Sequence, residues 1–168
     1  MKILTVVAAI AGVAAASPFG LTLQKPLFGQ GDNDVPGESP FKVCDQDLDR
    51  LLDIDYIDLD PNPPTRGANL TIAASGYLKE DVEEGSYVEV EVRYGYIRLL
   101  SQVFDLCEQI SNVDLQCPMK KGHQKITKTV QLPNEIPPGK YLVTARAYTD
   151  GDDLITCLTA TVEFPIEL

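Results

Sequence analysis

Cys44, Cys107, Cys117 and Cys157 are the four cysteines of this 168-residue chain, and all of them follow an export leader. An even number in an oxidising compartment predicts two disulfides. Spacing favours one of the three connectivities. Cys107–Cys117 closes a local loop, leaving Cys44–Cys157 to tie the first ordered segment to the last. A closed loop of that size contributes about 5 kcal/mol in the chain-entropy model. The leader is read from Lys2, the apolar run Ile3 to Val13 and the A-x-A site Ala14-Ala15-Ala16, giving a signal peptide over 1–16. Its apolar run is too short to span a bilayer, and no later stretch is long enough either. The mature chain is therefore expected to be soluble in the secretory pathway, in a vacuole- or lysosome-like lumen or outside the cell.

Residues 17–40 carry four glycines and four prolines and no sustained periodicity, and the segment up to Gly37 is set apart from the domain that follows. Such a segment buries too little surface to offset its ordering entropy, so it reads as a propeptide or flexible arm. Residues 38–168 suit a single domain with a modest core. The net charge of −11 is unchanged by removing the first 37 residues, because Lys2 and Lys25 balance Asp32 and Asp34. A domain this acidic is a poor partner for nucleic acid. It repels anionic surfaces at neutral pH, and less so in an acidic lumen as carboxylates protonate.

Strand signals dominate. From Val88 to Tyr96 the even positions are Val, Val, Val, Tyr and Tyr, while 89, 91 and 93 are Glu, Glu and Arg. Strict period two sets one face on a core and the other in water. Further strands are expected at 41–44, 53–59, 68–78, 97–104, 125–132, 140–148 and 154–164. They are separated by turn residues such as Asp60-Pro61-Asn62-Pro63-Pro64, Pro137-Pro138-Gly139 and Asp150-Gly151-Asp152. The last of these reads as a hairpin turn. The pattern predicts an all-β, immunoglobulin-like β-sandwich of seven to eight antiparallel strands, with a closed barrel as the alternative. The chain has no tryptophan, so an antibody-type Cys–Trp–Cys core is not expected. A change of phase between Tyr56 and Ile57 predicts a bulge. In the last strand Leu158, Ala160, Val162 and Phe164 share a face, which sets Cys157 on the other, away from the inter-sheet core.

Few residues are arranged for chemistry. His123 is the only histidine, with Lys120, Lys121 and Lys125 around it and no serine partner identified; it reads as an exposed, non-catalytic residue. Disulfide-bonded cysteines and one histidine leave no usual zinc site. Asp45-x-Asp47-x-Asp49 fails as a calcium loop because Arg50 and Tyr56 stand where Gly and Glu are needed. No metal, cofactor or catalytic activity is expected. Asn69-Leu70-Thr71 is a glycosylation sequon, with Asn69 outward and Leu70 and Ile72 inward. Lys120, Lys121, Lys125 and Lys128 form a local reversal of sign, read either as a solvated loop or as a contact for anionic headgroups.

Cys107, then Cys117-Pro118, a lysine-rich stretch and a strand, together with Asp152-Asp153-Leu154-Ile155-Thr156-Cys157 and an N-terminal Cys44, resemble the ML-domain lipid-binding family. The resemblance covers about residues 38–168. The two-disulfide pattern is similar to the fungal phospholipid-transfer branch. The Niemann–Pick C2 branch has a third, local disulfide after the first cysteine, and no cysteine occupies that stretch here.

The resemblance implies a sandwich whose sheets splay to hold a lipid. The carrier would be monomeric, touching membranes transiently and moving phosphatidylglycerol or phosphatidylinositol, or alternatively a sterol. Val88, Val90, Val92, Tyr94 and Tyr96 are expected to form one wall of the cavity, extended towards the mouth by Leu99, Val103 and Phe104. Val130, Leu132, Tyr141, Val143 and Ala145 are candidates for the opposing sheet. The rival reading is a packed extracellular sandwich that binds protein or glycan through its loops; a secreted enzyme comes third.

Overall fold

The computed structural model describes residues 33–166. The leader and most of the arm lie outside the described residues. Eight strands and one short helix follow in order: β1 (Phe41–Val43), β2 (Leu52–Asp60), β3 (Asn69–Leu78), β4 (Tyr87–Tyr94), β5 (Ile97–Asp105), α1 (Leu106–Ser111), β6 (Gly122–Gln131), β7 (Gly139–Tyr148) and β8 (Leu154–Phe164). They form two antiparallel sheets. One has five strands in the order β1-β8-β7-β4-β5, the other three in the order β2-β3-β6. The sandwich is as expected, and its sheets are unequal in width.

Both disulfides form, Cys44–Cys157 and Cys107–Cys117. Cys157 pairs with Arg146, whose guanidinium donates to Asp45 at 2.7 Å, so this bridge lies on the outer face of the five-stranded sheet. Cys157 is nonetheless fully buried, and Cys44 is half-buried. The bulge in β2 is one residue earlier than the sequence suggests. Ile54 pairs with Gly76 and Tyr56 with Ser75, so Asp55 is the extra residue. Leu52, Ile54, Ile57 and Leu59 can then all face inward despite the broken alternation. Gly76 is required there, since a Cβ would sit 2.7 Å from the Asp53 carbonyl oxygen.

Residues 33–37, assigned by sequence to the arm, are packed. Val35 is 3% exposed, its N–H bonds to Phe41 O, and Asp34 bridges Lys42 in sequence register and by a 3.0 Å ion pair. Pro36 O and Glu38 O then accept from the N–H groups of Ile57 and Leu59. Residues 33–43 thus form a strap from the β1 edge of one sheet to the β2 edge of the other. Burial of an apolar side chain and pairing of otherwise open backbone groups outweigh the entropy expected to keep this stretch loose.

The sandwich has two distinct ends. Leu78, Val82, Ala147 and Ile155 form the buried cluster at the helix end, with Val88, Leu106 and Met119 packed against it. At the other end, where the β4–β5 hairpin turns, Tyr141 and Phe164 are buried and their rings meet edge to face at 5.8 Å. The gap between these plugs is where the sheets part.

Candidate functional site: an apolar cavity between the sheets

A cavity of about 340 Å³ lies between the sheets next to the helix-end cluster. Leu52, Ile54 and Ile57 of β2, Ile72, Ala74 and Gly76 of β3 and Ile126 of β6 form one wall. Phe41, Ala147, Ile155, Thr156 and Leu158 form the other, and Leu106, Ile110, Leu115 and Met119 close the end. Only Ser75, Gln124 and Thr156 bring polar side chains to the lining. Thr156 Oγ1 is buried without a hydrogen-bond partner in the protein.

Two magnitudes say what this space suits. A buried water needs two to four polar partners, which such a lining does not offer in number. Each methylene of an apolar occupant that this lining removes from water contributes about 0.8 kcal/mol. An apolar occupant therefore suits the space better than water.

The end wall is built by local chemistry. Asp105 caps α1 by accepting from the Glu108 N–H at 3.0 Å. One turn of helix then sets Leu106 and Ile110 on the same side, facing the cavity. The Cys107–Cys117 disulfide spans this wall, and paired backbone bonds between Val82 and Met119 fasten its far end.

The expected cavity residues fall elsewhere, and none of the thirteen lines this space. Val88, Val90, Val92 and Tyr94 are on the inner face as expected, because they pair with Ala147, Ala145, Val143 and Tyr141. That pairing also corrects a sheet assignment: Tyr141, Val143 and Ala145 belong to the same sheet as β4, not the opposing one. Val90, Val92, Val143 and Ala145 stay half-buried, because three strands do not cover five. Phe104 is also inward, paired with Val88. Val103 faces out beside Glu89, Glu91 and Arg146. Leu99 falls at a register irregularity and is exposed, and Tyr96 is fully exposed in the hairpin turn. Val130 shares the inner face with Leu70 but lies open on the edge strand, and Leu132 follows β6, half-buried.

The lysines do not act as one cluster. Lys120 Nζ is 2.8 Å from Asp81, which also accepts from the Lys121 N–H at 2.8 Å. The Lys120 hydrogen bond holds the Asp81 carboxyl below the usual carboxylate range and raises Lys120 in turn. Along β6, Lys125 is exposed while Lys128 is half-buried, in line with the alternation of Gln124 and Ile126. His123 is exposed, edge-on to Tyr77 at 5.2 Å and 3.7 Å from Asp55. Asn69 is exposed at the start of β3, with Leu70 buried. Among the described residues no helix is long and apolar enough to cross a membrane.

A two-sheet sandwich holding an apolar cavity, braced by these two disulfides, matches the ML domain over residues 38–164, and the chain belongs to that family. A phosphatidylglycerol/phosphatidylinositol transfer protein of Yarrowia lipolytica is 63% identical over 137 residues, spanning 82% of this chain and 72% of the relative. The protein of that name from Neurospora crassa is 48% identical over 167 residues, spanning 98% and 94%. Among solved structures, chicken MD-1 complexed with lipid IVa superposes with a TM-score of 0.50 at 26% identity, over 73% of this chain and 86% of that one.

Proposed function

We propose that the protein carries phospholipids, phosphatidylglycerol and phosphatidylinositol among them, between membranes, holding the acyl chains in the inter-sheet cavity. The apolar lining of that 340 Å³ space carries the reading. Transfer of a methylene from water into such surroundings contributes about 0.8 kcal/mol, so part of one chain already binds usefully. No bond is made or broken; the lipid exchanges one apolar solvent for another. The chain enters between β5 and β6, where no strand pairs across the sheets' free edges among the described residues. Thr156 Oγ1 supplies a donor to an ester carbonyl inside. The relatives' names support this substrate class. The carrier works as a monomer with transient membrane contact, in the oxidising lumen or exterior that its disulfides suit.

Mass spectrometry of an organic extract of the purified protein tests the reading. Co-purifying phospholipid, and transfer of a fluorescent phospholipid between vesicles, are the expected results. A clean extract with no uptake of phospholipid would leave the rival, a packed module for protein or glycan. Competition among phosphatidylglycerol, phosphatidylinositol and a sterol ranks the ligands.

A further inference from the structure

The charge of the described chain is unevenly placed. The connections at the helix end, residues 44–51, 79–86, 106–121 and 149–153, hold twelve acidic and four basic residues, a net charge of −8. Those at the hairpin end, residues 61–68, 95–96, 132–138 and 165–166, hold only Arg66 and Glu135, a net charge of zero. The strap's Glu38 lies at the far edge, beside β2.

Exposed apolar side chains follow the opposite gradient. Towards the helix end the exposed large apolar side chains are Leu48, between Asp47 and Asp49, and Val103, beside Glu89 and Glu91. At the hairpin end Tyr96 is fully exposed, Ile97 62%, Leu99 56%, Leu142 41% and Ile166 72%. Strand register sets Leu142, Arg93 and Arg98 side by side across β7, β4 and β5. Both arginines pair with the single carboxylate of Glu91, Arg98 at 3.2 Å, so the turn end of the hairpin, residues 91–98, keeps one positive charge in excess. The turn is also held in place. Tyr94 stacks at a tilt on Tyr141 with centroids 5.2 Å apart, and its hydroxyl donates to Pro138 O at 3.1 Å. Gly139 allows this contact, since a Cβ there would meet the Tyr94 ring at 2.4 Å.

From this polarity we infer that the hairpin end is the face that docks on a phospholipid bilayer, with Tyr96 and Ile97 entering the interface and Arg93 and Arg98 meeting phosphates. Tyrosine and short aliphatic side chains suit the headgroup boundary, where a ring is half apolar and a hydroxyl stays wet. An anionic surface attracts the hairpin and repels the helix end, so the same charge distribution orients the molecule as it approaches. The inference deepens the carrier reading and rests on it only for its purpose. Docking itself is measured separately.

The absence of tryptophan gives a clean probe. Tyr96→Trp and Leu48→Trp place a single reporter at either end. With vesicles of phosphatidylcholine and phosphatidylglycerol bearing brominated acyl chains, emission from position 96 is expected to shift to the blue and be quenched, and emission from position 48 to stay unchanged. Quenching at 48 without 96, or at neither, overturns the assignment; the latter would leave the patch to a protein partner. The double variant Tyr96→Asp, Ile97→Asp is expected to lower vesicle co-sedimentation about tenfold while taking up a short-chain fluorescent phospholipid from solution as the parent does. Undiminished co-sedimentation sinks the docking face and leaves the carrier standing. If the parent takes up no phospholipid, the carrier falls, and the tryptophan pair still decides the docking face.

Discussion

On one side of the sandwich, residues 33–43 run from the five-stranded sheet to the three-stranded one, pairing with β1 and then with β2. On the other side, β5 and β6 end their sheets with no such strap among the described residues. Val35 is buried on the strapped side, whereas Val130 on the open side is 37% exposed. The difference is that of a book's spine and its page edges. Fastening one side fixes the distance between the sheets, so the other can stay parted around a ligand without a filled core to hold it.

Breaking the spine should have the largest effect. Cys44→Ala with Cys157→Ala opens a bridge of sequence separation 113, and urea denaturation should show a loss of about 5 kcal/mol. The equivalent change at Cys107 and Cys117, separation 10, should cost less than about 3 kcal/mol but speed lipid release, because it loosens the cavity's end wall. Val35→Asp places a carboxylate in a site 3% exposed and should cost about 3 kcal/mol, against less than about 1 kcal/mol for Val130→Asp on the open side. Equal losses at the two positions would remove the distinction between the sides.

Ala74→Phe sharpens the comparison from within. The new ring enters the void rather than a filled core, so phospholipid transfer should drop about tenfold while stability changes by less than about 2 kcal/mol. A large loss of stability with normal transfer would mean that the cavity is not where lipid sits. The smallest effect concerns Tyr87 of β4, whose hydroxyl donates to Asp152 at 2.7 Å and is held up to about 12 by that hydrogen bond. The folded value lies above the ordinary 10.0, so this contact contributes fully below pH 10 and fades as pH rises towards 12. In a phenolate absorbance titration one of the seven tyrosines should ionise late, and Tyr87→Phe should abolish that step.

Much of the fold was readable because strand alternation is a local signal. β8 spans Leu154–Phe164 as expected, and the β4 pattern correctly separates Val88, Val90 and Val92 from Glu89 and Glu91. Periodicity gives a face but not a neighbour, which is why Tyr141, Val143 and Ala145 were expected across the cavity when β7 lies beside β4. Phase also fails after a bulge: the irregularity between Val92 and Arg93 shifts Leu99, and Val103 alternates away from inward Phe104. The true lining had a signal of its own in β3. Ala73-Ala74-Ser75-Gly76 is a run of small residues in mid-strand, which leaves space rather than filling it. The α1 wall was harder to see, since six residues of helix are too few for a periodic pattern. The lysines illustrate the same limit, as neighbours in sequence turned to different faces of β6.

The strap and its strand carry one more consequence, in time rather than in space. Among the strands β1 pairs with β8 alone, and the strap leads from there to β2, so the earliest and latest strands described are mutual neighbours. The β2 side of the spine needs only residues up to Leu59, but the β1 side is not completed until Leu158–Ala160 are available. Pairings this distant in sequence make folding slow. The three-stranded sheet pairs from residues 52–131 alone, but the wall of the cavity that β8 supplies comes last.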